Sequence, residues 1–526
     1  MVTKASGRAA EIRAKLDHPI IDSDGHLIEV LPVLIDFIKQ VGGADVAKRF
    51  EDLRQRGTWM DLSPDELRDS RATASTWWLP PTKNTLDRAT ASLPRLLAER
   101  MDELGLDFCV LFPTTGLVFP TYQDDALRQV TCRALNMYLA EVYGPYAHRM
   151  TPAMAIPMHT PEEAIEELEL GAKTLGLKAA MIAGHVRRRV PAVQRQFPQL
   201  PSPHGTWVDS FGADSEYDYD PFWAKCIELG IPPASHSAGF GFTTNAASTS
   251  FMQNHLGHFA AAAQVFCKSL FFGGVTYRFP ALRVAVLECG VGWAVDLYAG
   301  IIARWEKRNV RALRNVDPAE LDVDGLMELY ARYGDGRTVE KLEEIKTSLP
   351  DSVLASIKRP AVLDDWSHTP TERPEDIRDR FVPNFFFGCE ADDPMNPTAF
   401  DAKRNPLGAR LGAMLSSDIG HWDVPDMGEV VPEAYESVEK GLMKSSDFRD
   451  FTFTNPVRFF AGMNPDFFKG TVVEAAVSKL QASGAYTARK ARHAGRWPAP
   501  GPVRRRHRRP RRSAACAWRG ILPASK

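Results

Sequence analysis

The 526-residue chain lacks several features that would settle its class at once. No apolar run is long enough to span a bilayer, which takes about 20 consecutive apolar residues, so a membrane role is not expected. The opening stretch MVTKASGRAAEIRAKLDHP has no apolar core of a secretory signal, and a cytoplasmic location is the expectation. Cysteines are few and scattered, and no CxxC pair occurs. That argues against a structural zinc knot or a disulfide framework. Contexts such as LDFCVLF and FFFGCE suit buried free thiols in a reducing compartment. No GxGxxG follows the first apolar strand, which weakens a dinucleotide-binding reading. Acidic residues are missing from Gly484 to Lys526, where 13 Lys and Arg stand, so a whole-chain net charge of −2 leaves −15 for the rest. An acidic body argues against nucleic acid as the partner.

What is present is ordinary globular composition, 44% hydrophobic and 25% charged, enough for a large core. The stretch RWPAPGPVRRRHRRPRRSAACAWRG has no apolar periodicity. It reads either as a basic arm or as the product of a reading-frame change in GC-rich coding DNA. The second reading is preferred, so residues 486–526 are set aside as a basic, disordered tail. In the body, eight short apolar runs alternate with amphipathic helical stretches: HPIIDSD (18–24), LDFCVLFP (106–113), MTPAMAIP (150–157), LKAAMIA (177–183), IPPASHS (231–237), RVAVLECG (283–290), VPNFFFG (382–388) and LGAMLSSD (411–418). Continuous apolar strands alternating with helices indicate a parallel sheet, and eight is the count of a (β/α)8 TIM barrel of the α/β class. A doubly wound open sheet is the alternative. The expected organisation is an N-terminal extension (1–17), a barrel (18–485) and the tail. Two insertions, near 41–92 and 304–374, interrupt the alternation. They and the long loop after the fourth strand are expected to shape the pocket.

The stretch IIDSDGHLIE places Asp22, Asp24 and His26 at alternate positions, hence on one face of a strand. Alone it could be a turn with a capping Asp. Ligand-type residues, however, recur at the C-terminal ends of other strands: His236 on the fifth, Glu288 on the sixth, Asp418 on the eighth with His421 three residues on. In a barrel these ends meet on one rim. Carboxylates and imidazoles in that number suit Zn²⁺, Mn²⁺ or Fe²⁺, with Zn²⁺ the first expectation, one or two ions per chain.

With these residues in view, the order of motifs resembles the amidohydrolase-related family. This is the branch of the amidohydrolase superfamily that includes aminocarboxymuconate-semialdehyde decarboxylase and the resorcylate-type decarboxylases. The matching stretches are DSDGHLIE, YDPFWAKCIELGIPPASH, KSLFFGGVTYRFPALRVAVLECGVGW and LSSDIGHWDVP, spread over about residues 18 to 470. The resemblance implies that Asp24 and His26 are the strand-one ligand pair, His236 the strand-five ligand, and Asp418 a ligand that also transfers protons. Two departures stand out. Strand one carries DxH rather than HxH. Strand six ends in Glu288, where the family's decarboxylases tend to have a catalytic His. Glu288 is therefore expected to be a general base, a second-metal ligand or an orienter of metal-bound water.

Other residues are weighed against plainer roles. His258, three residues after His255 on a helix before strand six, is a catalytic candidate alongside Asp418, Glu288 and His421. His185 is read as loop structure. Lys178 starts strand four, at the wrong end for a bridging lysine. Glu29 is read as a loop anchor, and Arg187–Arg189 as a solvated loop. Trp77 and Trp78 are candidates for specificity. The expected activity is metal-dependent hydrolysis of a small organic acid, amide, ester or thioester. Non-oxidative decarboxylation of an aromatic or unsaturated acid is the alternative, and a non-catalytic binding barrel is a third class. The partners expected are a small-molecule substrate and, by analogy, a second copy of the chain.

Overall fold

A computed structural model describes residues 7–55, 63–70, 73, 82–200, 205–236, 247–348 and 364–484. Trp77, Trp78 and the basic tail lie outside the described residues. Eight parallel strands follow one another around a single sheet: β1 (Ile21–Leu27), β2 (Phe108–Pro113), β3 (Met150–Ala155), β4 (Ala179–Ile182), β5 (Pro233–Ser235), β6 (Val284–Val286), β7 (Phe385–Cys389) and β8 (Gly412–Leu415). Each overlaps one of the eight apolar runs read from sequence. Every residue of β2 and β3 is buried. Helices cover the outer face and side chains fill the interior, so neither face selects polar residues and the strands lack alternation.

The helices between strands obey local rules. Thr160 and Glu163 form a reciprocal capping box at the start of the helix Pro161–Lys173. The helix Asp220–Leu229 ends at Gly230, whose left-handed backbone closes the last turn. The first insertion continues the helix Leu31–Gln55, which bends at Gly43, into Pro64–Ser70 and Thr85–Ser92. The second contains Val323–Tyr333, Gly336–Glu340 and Leu342–Ser348, none with a buried residue. The loop after β4 holds a small antiparallel hairpin, Val186–Arg189 with Thr206–Asp209. VRRR and TWVD are too short and too charged to show alternation, so the sequence predicts a loop where the structure forms this hairpin. Arg188 fastens it through Asp209, the Tyr219 hydroxyl and the His159 carbonyl.

The ends of the sheet close on each other above β8. The Asp418 amide donates to the Asp24 carbonyl at 2.9 Å, and the His26 amide donates to the Ile419 carbonyl at 2.8 Å. Among the described residues no helix is long and apolar enough to cross a membrane.

Candidate metal centre

β1 is not a regular strand. Asp22 pairs with Cys109 and Gly25 with Leu111, so three steps along β1 face two along β2. This bulge breaks the alternation that would set Asp22, Asp24 and His26 on one face. Asp24 and His26 reach the rim. Asp22 turns into the seam between β1 and β8, where its Oδ1 accepts from the Ser417 amide and its Oδ2 from the Ser417 hydroxyl. The triple pattern thus divides into two rim residues and one residue of the wall.

At the rim, Asp24, His26, His236, Glu288 and Asp418 converge, all buried. The Nε2 atoms of His26 and His236 stand 2.9 Å apart. Glu288 Oε1 lies 3.2 Å from the first and 3.5 Å from the second. Asp418 Oδ1 is 3.3 Å from His26 Nε2, and Asp24 Oδ1 is 3.7 and 3.8 Å from the two imidazoles. His421 completes the group. Its Nδ1 is 3.0 Å from Glu288 Oε1 and 2.7 Å from Asp418 Oδ1, its ring stacks on His26 at 3.6 Å, and its Nε2 faces the Thr114 hydroxyl at 3.3 Å. Asp24, His26 and His236 form one set of potential ligands, and His26, Glu288, Asp418 and His421 another, sharing His26.

The strain and the electrostatics concentrate at the same atoms. Glu288 and Asp418 both have φ 51°, a left-handed conformation that L residues with side chains seldom adopt. The strands must turn abruptly to aim these two carboxylates inward. Burial, and next the charge of Glu288, holds Asp24 and Asp418 well above the usual carboxylate range. Glu288 goes the other way: burial opposes its ionisation, but His236, His26 and His421 together outweigh burial and keep it charged. Burial, then His421, holds His26 well below its usual value.

These residues fit a divalent cation. Two imidazole nitrogens facing each other at 2.9 Å need a proton or a cation between their lone pairs. Both carboxylate oxygens of Asp24 are buried without a hydrogen-bond partner, which is costly unless positive charge compensates. Nitrogen and oxygen donors in this mixture suit Zn²⁺, Mn²⁺ or Fe²⁺.

The remaining candidates fall outside the donor group. His258 is buried with Nδ1 2.6 Å from the His255 carbonyl and its ring on Phe259. Glu29 accepts from the Thr115 and Gly116 amides and so anchors the loop after β2. Lys178 bonds to the Phe467 carbonyl at the opposite end of the barrel. Arg188 is committed to the hairpin. His185 is buried, and burial pushes its imidazole down to about 4.

Three further groups near the donor set were not read from sequence: Thr114, Glu390 and Asp423. Burial, then Asp423 and Glu288, raises Glu390 to about 8. The signal for two of them was present, since Thr114 directly follows β2 and Glu390 directly follows β7.

No curated protein matches the chain. Solved structures of similar fold include an amidohydrolase from Mycobacterium avium subsp. paratuberculosis K-10, at 17% identity over 85% of this chain and 100% of the other, with a TM-score of 0.49. Another is a dihydroxybenzoic acid decarboxylase from Polaromonas sp. JS666 with bound manganese and 2-nitroresorcinol, at 18% identity over 84% and 97%, TM-score 0.46. A third is a 5-carboxyvanillate decarboxylase from Novosphingobium aromaticivorans DSM 12444 with manganese, at 14% identity over 85% and 97%, TM-score 0.44. The family model described as amidohydrolase matches residues 21–339, which include Asp24, His26, His236 and Glu288. Asp418 lies beyond that match, and the fold brings it back to the same rim. The chain belongs to the amidohydrolase family.

Proposed function

We propose that this protein is a metal-dependent carboxy-lyase that removes CO₂ from a small aromatic or unsaturated acid without oxidation. The expectation of hydrolysis rested on Glu288 standing where the family's decarboxylases tend to have a histidine. The observation that carries the revised reading is the position of His421. From the turn after the eighth strand it brings an imidazole within 3.0 Å of Glu288 and 2.7 Å of Asp418. Asp24, His26, His236 and Asp418 would hold the ion, which would polarise a carboxylate and an adjacent oxygen of the substrate.

The chain's own groups divide the remaining work. His421, set between two carboxyls and the Thr114 hydroxyl, is placed to carry a proton. As the bond to the carboxylate breaks, its electron pair stays on the carbon. That carbon takes the proton from His421, and CO₂ leaves. Glu288, held ionised, stabilises the imidazolium before the transfer. The same ionised Glu288 favours a second reading. As a general base toward water it would support hydrolysis of an ester, amide or thioester.

The test is to load the protein with Mn²⁺ or Zn²⁺ in D₂O and offer hydroxybenzoates, unsaturated acids, esters and amides. Release of CO₂ with deuterium on the vacated carbon supports the carboxy-lyase. Acid release from esters or amides without CO₂ replaces it with the hydrolase.

A further inference from the structure

Asp22 is the member of the opening motif that the metal site leaves unused. It is fully buried, and its carboxylate is saturated with donors from both sides of the β1–β8 seam. Its Oδ1 accepts from the amide of Asp24 at 3.2 Å and from the amide of Ser417 at 2.9 Å. Its Oδ2 accepts from the Ser417 hydroxyl at 2.6 Å, and that hydroxyl oxygen in turn accepts from the Ile419 amide at 3.2 Å. The amides on both sides of Asp418 are therefore tied, directly or through one hydroxyl, to the same carboxylate. Asp418 itself has the strained φ of 51° and donates its amide to the Asp24 carbonyl at 2.9 Å. The packing leaves no slack: a Cβ on Gly25 would come within 2.7 Å of Asp22 Oδ2.

We infer that Asp22 is a positioning residue which fixes the backbone that carries the two carboxylates Asp24 and Asp418 at the metal site. It acts from the wall, through backbone amides, and does not touch the ion. The inference rests on the reading of the rim as a metal site. Groups that orient ligands typically change metal affinity 10- to 100-fold when they are removed. Asn at this position keeps one acceptor oxygen for the two amides but presents an NH₂ group to Ser417. Loss of the Ser417 hydroxyl frees the Ile419 amide and removes the donor to Asp22 Oδ2, but keeps both amide bonds to Oδ1. The two changes should therefore act in graded fashion.

The experiment titrates Mn²⁺ into metal-free wild type, Asp22→Asn and Ser417→Ala, with a competing fluorescent chelator reporting Kd. The electron paramagnetic resonance line shape of bound Mn²⁺ and the melting temperature of each metal-free protein accompany the titration. The expected result is Kd weakened about 10- to 100-fold in Asp22→Asn and less in Ser417→Ala, with an altered line shape in both. A merely structural role would lower melting temperatures and leave Kd unchanged. Wild type that binds Mn²⁺ while both variants stay within about twofold overturns the positioning role alone. Wild type that binds neither Mn²⁺ nor Zn²⁺ overturns the metal site and this inference together. If Asp22→Asn does not fold, Ser417→Ala decides.

Discussion

Replacing Asp22 by Asn should make the metal-free protein relatively more stable as pH rises, even where it binds metal less well. In the folded chain burial raises the Asp22 carboxyl from 3.8 to about 6, against the opposing bonds from Ser417 and Asp24. A carboxyl whose folded value is raised favours folding below its unfolded value and loses that contribution as pH climbs through the folded value. The window therefore runs from 3.8 to about 6. At 1.36 kcal/mol per pH unit the loss is about 3 kcal/mol, of which about 2 falls above pH 4.5 or so. The Asn variant has no such titration. Its stability relative to wild type should rise by about 2 kcal/mol between about pH 4.5 and 6 and then level off. The Asn side chain's own contacts shift that difference curve up or down by a constant amount and do not change its slope. His26 and Glu288, both held below their ordinary values, contribute with the opposite sign, yet they are present in both proteins and drop out of the difference. The assay is thermal or urea unfolding of both proteins in chelator across this range. A flat difference curve, or one that falls with pH, would refute the buried-acid reasoning.

Other substitutions test other parts of the site. His236→Ala should abolish stoichiometric Mn²⁺ or Zn²⁺ binding measured by plasma mass spectrometry, since it removes one of the two facing imidazoles; full retention would move the ion elsewhere. His421→Asn should keep the metal but lower kcat by about 10²- to 10⁴-fold, the usual range for a lost proton carrier; unchanged kcat would take it out of the chemistry. Gly25→Ala should cost about 1–3 kcal/mol and be read as a lower melting temperature, because its new Cβ meets Asp22, Ile419 and Leu111 in a closed wall.

The barrel was legible because its signal is repeated. Eight apolar runs at helix-length spacing leave little alternative, and the rim donors sit at their ends. What sequence did not show is local geometry. The period-2 rule put Asp22 beside Asp24 and His26, but one extra residue in β1 rotates it into the wall, and bulges have no compositional mark in IDSDGHL. His421 was visible only as a residue near Asp418. That its ring reaches both Glu288 and Asp418 depends on how the backbone turns after β8. The hairpin escaped because its pairing runs through Arg188 and Asp209 rather than through an apolar face.

The seam between β1 and β8 joins residues very far apart in the chain: Asp22 and Ser417 are 395 positions distant. Contacts of such separation are the slowest to form, since loop closure must precede any reward from them. The donor set straddles the same seam, so it becomes complete only when the first strand meets the last. On the ribosome, Asp24 and His26 emerge early and wait for Asp418 until nearly the whole barrel has been made. A chain truncated before β8 would keep four of the five rim donors, Asp24, His26, His236 and Glu288, but not Asp418. Metal occupancy would then serve as a report on complete synthesis and closure, and a cation bridging the first and last strands would act as a fastener on the ring's final joint.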